Sequence, residues 1–213
     1  MSEEKINVEA IRHRTLVAME ILDTEAEGEF DALVMAARRI FGSRTAYISL
    51  IDGDRQWFKA REGFAPSEVS RECSICATAV DENREIVVEN LQEHPVYGQM
   101  PDIVAMPHFQ FFVTIPLMGP PMDGVSVPIG TLCVIDDRPW VASREELDEL
   151  RRLAHVVESL FQTRLDAKLA EAALEERRQL IDELRRVQRQ FELAEEMAQI
   201  GHWRMDLATE ELF

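Results

Sequence analysis

The chain has 213 residues, 46% of them hydrophobic, which is enough for one domain with a real core plus an extension and too apolar for a disordered tail. Its 23 Lys and Arg against 40 Asp and Glu leave a net charge of −17, so no basic footprint for nucleic acid or an anionic membrane is expected. The opening Met-Ser-Glu-Glu-Lys lacks a leader pattern, no apolar run approaches the roughly 20 residues of a membrane helix, and three cysteines make no disulfide framework, so a soluble, cytoplasmic chain is expected.

Val8, Ile11, Thr15, Ala18 and Leu22 recur at helical spacing and predict a first short helix. Thr24 with Glu27 reads as a capping box for a second helix that ends near Gly42. Residues 45–51 alternate toward a strand, Asp52-Gly53-Asp54-Arg55 is a tight turn, and 56–61 returns as the hairpin partner. Further strands are predicted at 85–89, 109–118 and 128–136, with a short helical stretch over 71–80 and long loops over 90–108 and 118–128. Strands in hairpins, with helices at both ends of the chain, describe an α+β sandwich with an antiparallel sheet.

Between Pro139 and Gly201 there is neither glycine nor proline, and Ser143 with Glu146 makes a capping box, so a single helix over 143–199, about 85 Å long, is expected. Leu150, Leu153, Val157 and Leu160 form one seam, and Leu180, Leu184, Val187, Phe191, Ala194 and Ala198 a second. Both read as coiled coil with a second copy; Arg164, Glu171 and Arg178 break the first register and mark a discontinuity. Residues 201–207 look like the first strand of a further domain.

Four segments carry a family resemblance: Ile21-Leu22-Asp23-Thr24, the run 51–59 (Ile-Asp-Gly-Asp-Arg-Gln-Trp-Phe-Lys), Arg71-Glu72-Cys73-Ser74-Ile75-Cys76, and the run 130–136 (Gly-Thr-Leu-Cys-Val-Ile-Asp). Through them residues 9–160 resemble a GAF sensor domain of the bacterial subgroup found ahead of PAS modules, histidine kinases and diguanylate cyclases. Residues 194–203 similarly resemble the entry to a PAS domain. The resemblance implies a tail over 1–8, a GAF domain over 9–142, a signalling helix over 143–199 and a PAS start over 200–213. It implies a six-stranded antiparallel sheet flanked by helices, a small-molecule pocket between the sheet and its covering helix and loops, and a homodimer through the first and last helices. The function implied is sensory regulation of a PAS and output module, first of a sensor histidine kinase, with a diguanylate cyclase or a cysteine-based redox or metal switch as alternatives. Where the subgroup shows Arg-Phe-Tyr-Ala-Gly this chain has Gln110-Phe111-Phe112-Val113-Thr114, which removes a charged contact. The Asn-Lys-Phe-Asp-Glu signature of cyclic-nucleotide binders and the Cys-His pair that attaches a bilin are absent, so neither ligand carries over and no cofactor is assigned.

The ligand-binding candidates are Trp57, Phe58, Arg71, Cys73, Cys76, Phe109, Phe111 and Cys133. Cys73 and Cys76 are spaced to share a helical face that Cys133 could oppose, which suits thiol redox or metal binding, or packing as small hydrophobes. Phe109 and Phe111 are expected on one strand face and Phe112 on the other. His94 and His108 bracket the loop expected over the pocket and suit a haem or a ligand hydrogen bond, or plain solvation; His155 reads as a helix-face residue. Asp52, Asp54, Arg55, Arg71 and Glu72 form a polar cluster suited to ligand recognition or to locking the hairpin onto the helix. No phosphate loop or hydrolase motif marks a catalytic centre.

Overall fold

The computed structural model describes residues 3–100, 108–198, 205–206 and 211–212, with side chains over 8–195 except Cys73 and 101–107. Two compact units divide the chain, Met1–Lys168 and Leu169–Phe213. The first is α+β. Helices α1 (Glu3–Met19) and α2 (Gly28–Phe41) precede the hairpin β1 (Thr45–Asp52) and β2 (Arg55–Glu62), and β3 (Glu68–Ser70) leads into α3 (Ile75–Glu82). Strands β4 (Ile86–Val88), β5 (Phe111–Met118) and β6 (Pro128–Asp136) complete an antiparallel sheet in the order β3-β2-β1-β6-β5-β4, and α4 (Arg144–Ala198) follows.

Helix α2 buries Phe30, Val34, Ala37 and Phe41 at steps of 4, 3 and 4, and stops where Gly42 turns left-handed at φ 57°. Its predicted start needs correction, because Glu27 is the N-cap and makes no side-chain cap, while the Thr24 hydroxyl donates to Ile21 O at 2.8 Å and receives Lys59 Nζ at 2.7 Å. The stripe on α1 is also shifted. Ile11, Arg12, Thr15, Leu16 and Met19 are the buried positions, Val8 is exposed, and Leu22 lies past the helix end. Hydropathy could not place Arg12 inside, yet its guanidinium is satisfied there by Pro128 O at 2.9 Å and by Glu9 and Asp81. Helix α1 begins inside the stretch expected as a tail.

The sheet separates two cores. One face carries Ile48, Leu50, Trp57, Phe111, Val113 and Leu132 against α1, α2 and α4; the other carries Tyr47, Phe58, Phe112 and Cys133 under α3. In β2 the register slips by one residue, Ser49 facing Phe58 and Ile48 facing Ala60, so Lys59 is a bulged residue. Contrary to the expectation of a shared face, Phe109 and Phe111 lie on opposite sides of the sheet. Strand β5 starts at Phe111, so alternation does not reach Phe109, which packs with Phe112 under α3.

Ser143 and Glu146 close the expected capping box, Glu146 N–H donating to Ser143 Oγ at 3.2 Å and Ser143 N–H to Glu146 Oε2 at 2.7 Å. Helix α4 then runs 55 residues to Ala198. Along its first seam Leu150 and Val157, with Ala154, Phe161 and Leu165 beside them, are buried in the core beneath the sheet, and Leu153 and Leu160 are partly covered there. The domain's own apolar face satisfies that stripe before a partner can. In the second unit Leu174, Leu180, Leu184, Val187 and Phe191 are exposed along α4, and the short strands β7 (Met205–Asp206) and β8 (Glu211–Leu212) pair antiparallel. The remainder of the expected PAS start lies outside the described residues. Among the described residues no helix is long and apolar enough to cross a membrane.

Candidate functional site

The covered face of the sheet is unusually polar for a core. In β1, β5 and β6 the side chains turned toward α3 include Tyr47, Ser49, Thr114, Thr131 and Cys133, all 5% exposed or less. Cross-strand pairing sets Cys133 between Tyr47 and Thr114, and Thr131 opposite Ser49. Helix α3 closes over them because Ser74 caps it, accepting Ala77 N–H at 3.1 Å, and this sets Cys76 in its first turn.

Cys76 Sγ then lies 3.5 Å from Tyr47 Oη and 3.8 Å from Thr114 Oγ1, hence above Cys133 on the strand between them. A second chain of bonds runs from Ser74 Oγ to Gln56 Oε1, from Gln56 Nε2 to Ser49 Oγ at 2.9 Å, and from Ser49 Oγ to Thr131 Oγ1 at 3.1 Å. These groups satisfy one another, as buried polar groups must. The titrations are pushed apart. Burial, aided by both neighbouring thiols, raises the Tyr47 phenol, and burial with Cys76 beside it raises Cys133. Burial pushes Cys76 up as well, but hydrogen bonds from Cys133, Thr131, Tyr47 and Thr114 outweigh it and make Cys76 the more acidic thiol of the pair.

Seven of the eight candidate residues divide among three places. Phe58, Cys76, Phe109 and Cys133 meet under α3; Trp57 and Phe111 lie on the opposite face of the sheet. Arg71 lines an open groove of about 540 Å³ beside Asp54 and Asp81. The side chain of Cys73 lies outside the described residues; its backbone ends a short 3-10 turn that Ser74 separates from α3, so Cys73 and Cys76 do not belong to one helix. The signal for the residues not singled out from sequence is alternation of polar side chains in otherwise apolar strands, Tyr47 and Ser49 in β1 and Thr131 two positions before the candidate Cys133 in β6.

The expected polar cluster locks elements together. Arg55 bonds Asp52 at 3.0 Å, Asp23 at 2.7 Å and Glu68 at 2.9 Å, joining the hairpin turn to β3 and to the α1–α2 loop. Arg71 holds Gly53 O at 2.9 Å, Asp81 at 2.8 Å and Glu9 at 3.0 Å. His94 Nδ1 accepts the N–H groups of Val96 and Tyr97 at 3.3 and 3.1 Å, which commits that nitrogen to the loop. Among the described residues no three His, Cys, Asp or Glu side chains converge as metal ligands. A second open groove of about 680 Å³, between α2 and β2, is lined in part by Thr24, Trp57, Phe58 and Lys59.

Comparison with known proteins places this architecture. The profile of the GAF domain family matches residues 25–160. The cyclic di-GMP phosphodiesterase PA2567 of Pseudomonas aeruginosa is 30% identical over 119 residues, covering 56% of this chain and 20% of that protein, so the chain spans about a fifth of its curated relative. The GAF domain of an Acinetobacter phosphoenolpyruvate-protein phosphotransferase is similar in structure, with TM-score 0.52, 15% identity, and coverage of 81% of this chain and 99% of that one. A domain of a protein described as a two-component sensor histidine kinase, from Sinorhizobium meliloti, has TM-score 0.52, 21% identity and coverage of 68% and 97%. The type II free methionine-R-sulfoxide reductase of Thermoplasma acidophilum has TM-score 0.52, 17% identity and coverage of 68% and 96%. At these identities the structural likenesses establish the fold.

Proposed function

The chain belongs to the GAF domain family, and from that premise we propose that it is the sensory segment of a larger cytoplasmic signalling protein. It binds a small molecule at the sheet and passes its state along α4 to a PAS domain beginning near residue 200 and to an output enzyme, first of all a sensor histidine kinase. The working form is a homodimer through α1 and the distal part of α4. Ligand acts by population shift, through different affinity for two packings of the exit helix.

The observation that carries this reading is the continuity of α4. One uninterrupted helix is sealed into the domain core at Leu150, Val157 and Phe161 and continues to Ala198 with large apolar side chains exposed. A helix held at one end by a domain and exposing apolar side chains along the rest of its length suits transmission. The expected test result is a native mass spectrum of the chain, purified from cells, that shows a non-covalent adduct which disappears on denaturation and whose re-addition raises the unfolding temperature. A chain that carries no adduct and gains no stability from any fraction of a cell extract contradicts the sensing role.

A second reading of the output, turnover of cyclic di-GMP, is favoured by the Pseudomonas aeruginosa relative. ATP-dependent histidine phosphorylation by the whole protein supports the first reading, and cyclic di-GMP turnover the second. A thiol switch is favoured by the contact of Cys76 with Cys133 and opposed by their burial, which shields both from oxidants. A response retained in Cys76→Ser and Cys133→Ser rules it out.

A further inference from the structure

Arg164 interrupts the seam read from the sequence, and the structure gives it a specific task. Its guanidinium spans the end of α1 and the loop that follows, Nε donating to Met19 O at 2.7 Å and Nη2 to Glu20 O at 2.8 Å. Nη1 meets both carboxylate oxygens of Glu27, at 2.8 and 3.0 Å. One turn on, Lys168 Nζ reaches Glu20 Oε2 at 2.7 Å. The exit helix is therefore pinned by charge at the last turn before it leaves the first unit.

Glu27 has a second cation. Lys59, whose side chain is 0% exposed, donates Nζ to Glu27 Oε1, to Thr24 Oγ1 at 2.7 Å and to Glu25 O at 3.0 Å, and lies 5.4 Å from the Phe30 ring centroid. A buried ammonium needs such compensation, and the bulge in β2 is what aims it at the α1–α2 loop. The open groove between α2 and β2 adjoins this spot, sharing Thr24 and Lys59 with it. Burial pushes the Glu27 carboxyl up, but its bonds to Lys59 and Arg164 outweigh that and hold it below the ordinary carboxylate value.

We propose that Glu27 is a shared clamp through which the central sheet holds the exit helix, so that Lys59 on β2, Glu27 and Arg164 on α4 form the point at which a shift of β2 is handed to the helix. This rests on the reading of α4 as the output element. One carboxylate serves two cations on two different elements, so the position of either cation biases the grip on the other. A change at the bulge that draws Lys59 toward or away from Glu27 alters how firmly Arg164 is held. Arg suits the helix side of the clamp because its planar fork bonds a carboxylate and two carbonyls at once, which a lysine ammonium does with less geometric definition.

The test is amide hydrogen exchange on the full chain, comparing Arg164→Ala, Glu27→Gln, the double variant and Arg164→Lys, with Arg144→Ala as a control far from the clamp. Each clamp variant is expected to speed exchange in residues 161–168 by about tenfold or more while β1 and β6 keep their protection. The double variant should exchange no faster than the faster single one, because both break the same link, and Arg164→Lys should restore part of the protection. An effect below about twofold in 161–168, equal acceleration across β1 and β6, or fully independent effects of the two substitutions would each overturn the clamp. Light scattering on the same samples separates the two ideas: clamp coupling in a monomeric chain upholds the clamp and counts against the dimeric output, whereas an intact dimer without coupling overturns the clamp alone.

Discussion

Truncating Phe161 distinguishes a helix that belongs to the domain from one that only leaves it. The ring is fully buried in the core formed by the sheet, α1 and α2, with its centroid 5.9 Å from that of Phe30. Phe161→Ala removes the ring and leaves a cavity walled by elements that cannot all collapse, a change that costs about 3–5 kcal/mol. For a folded unit of this size each kcal/mol lowers the unfolding temperature by about 2–4 °C, so a drop of about 6–20 °C is expected. Urea unfolding followed by tryptophan fluorescence measures the cost, with Arg152→Ala on the exposed side of the same helix as control, expected within about 0.5 kcal/mol of wild type. A loss below about 1 kcal/mol for Phe161→Ala would mean that α4 is not part of the core, and the account of how the domain holds the helix would fail.

Stability should fall as pH drops below about 4.5, because Glu27, Glu20, Asp23 and Asp136 are held below their ordinary values when folded, so the unfolded chain takes up protons first. Glu27→Gln should flatten that acid limb of the unfolding curve, and an unchanged slope contradicts the assignment. Cys76 and Cys133 are no more than 1% exposed, so an aromatic disulfide reagent should modify at most one of the three thiols quickly in the native chain and all three after unfolding; fast native reaction of Cys76 or Cys133, located by peptide mass, argues against the packing under α3. Gly130→Ala should abolish soluble folding, since its Cβ would lie 2.1 Å from Ser49 O and 3.1 Å from Leu50 Cα, backbone atoms of the adjoining strand with no room to yield. A normally folded variant by circular dichroism would contradict the β1–β6 register.

Periodicity and turn chemistry made most of the fold legible. Hairpin β1–β2, strand β6, the Gly42 stop and the Ser143–Glu146 box follow from local rules, which the tertiary structure had no reason to override. Two of the misreadings, at Arg12 and at Thr24, share a cause, a polar residue satisfied by a partner far away in sequence. Arg12 is buried because Pro128 O, 116 positions on, receives it, and Thr24 is not a cap because Lys59 claims its hydroxyl. The seam of Leu150 and Val157 was visible, but not what it faces, since a heptad stripe fits a partner helix and the underside of a sheet equally well. At the candidate site the cysteines stood out while Tyr47, Ser49, Gln56 and Thr131 did not, because only their placement on one face by strand pairing turns them into a cluster.

In the proposed homodimer the exit helix joins two copies through the side chains it leaves exposed. The measurement that tests it most directly is the solution mass of the 24.4 kDa chain by sedimentation equilibrium, alongside a variant carrying Leu184→Asn and Val187→Asn. The account predicts twice the chain mass for wild type and a shift to the single-chain mass for the variant, with the unfolding of the first unit unchanged. A wild-type monomer, or a dimer indifferent to both substitutions, would contradict it.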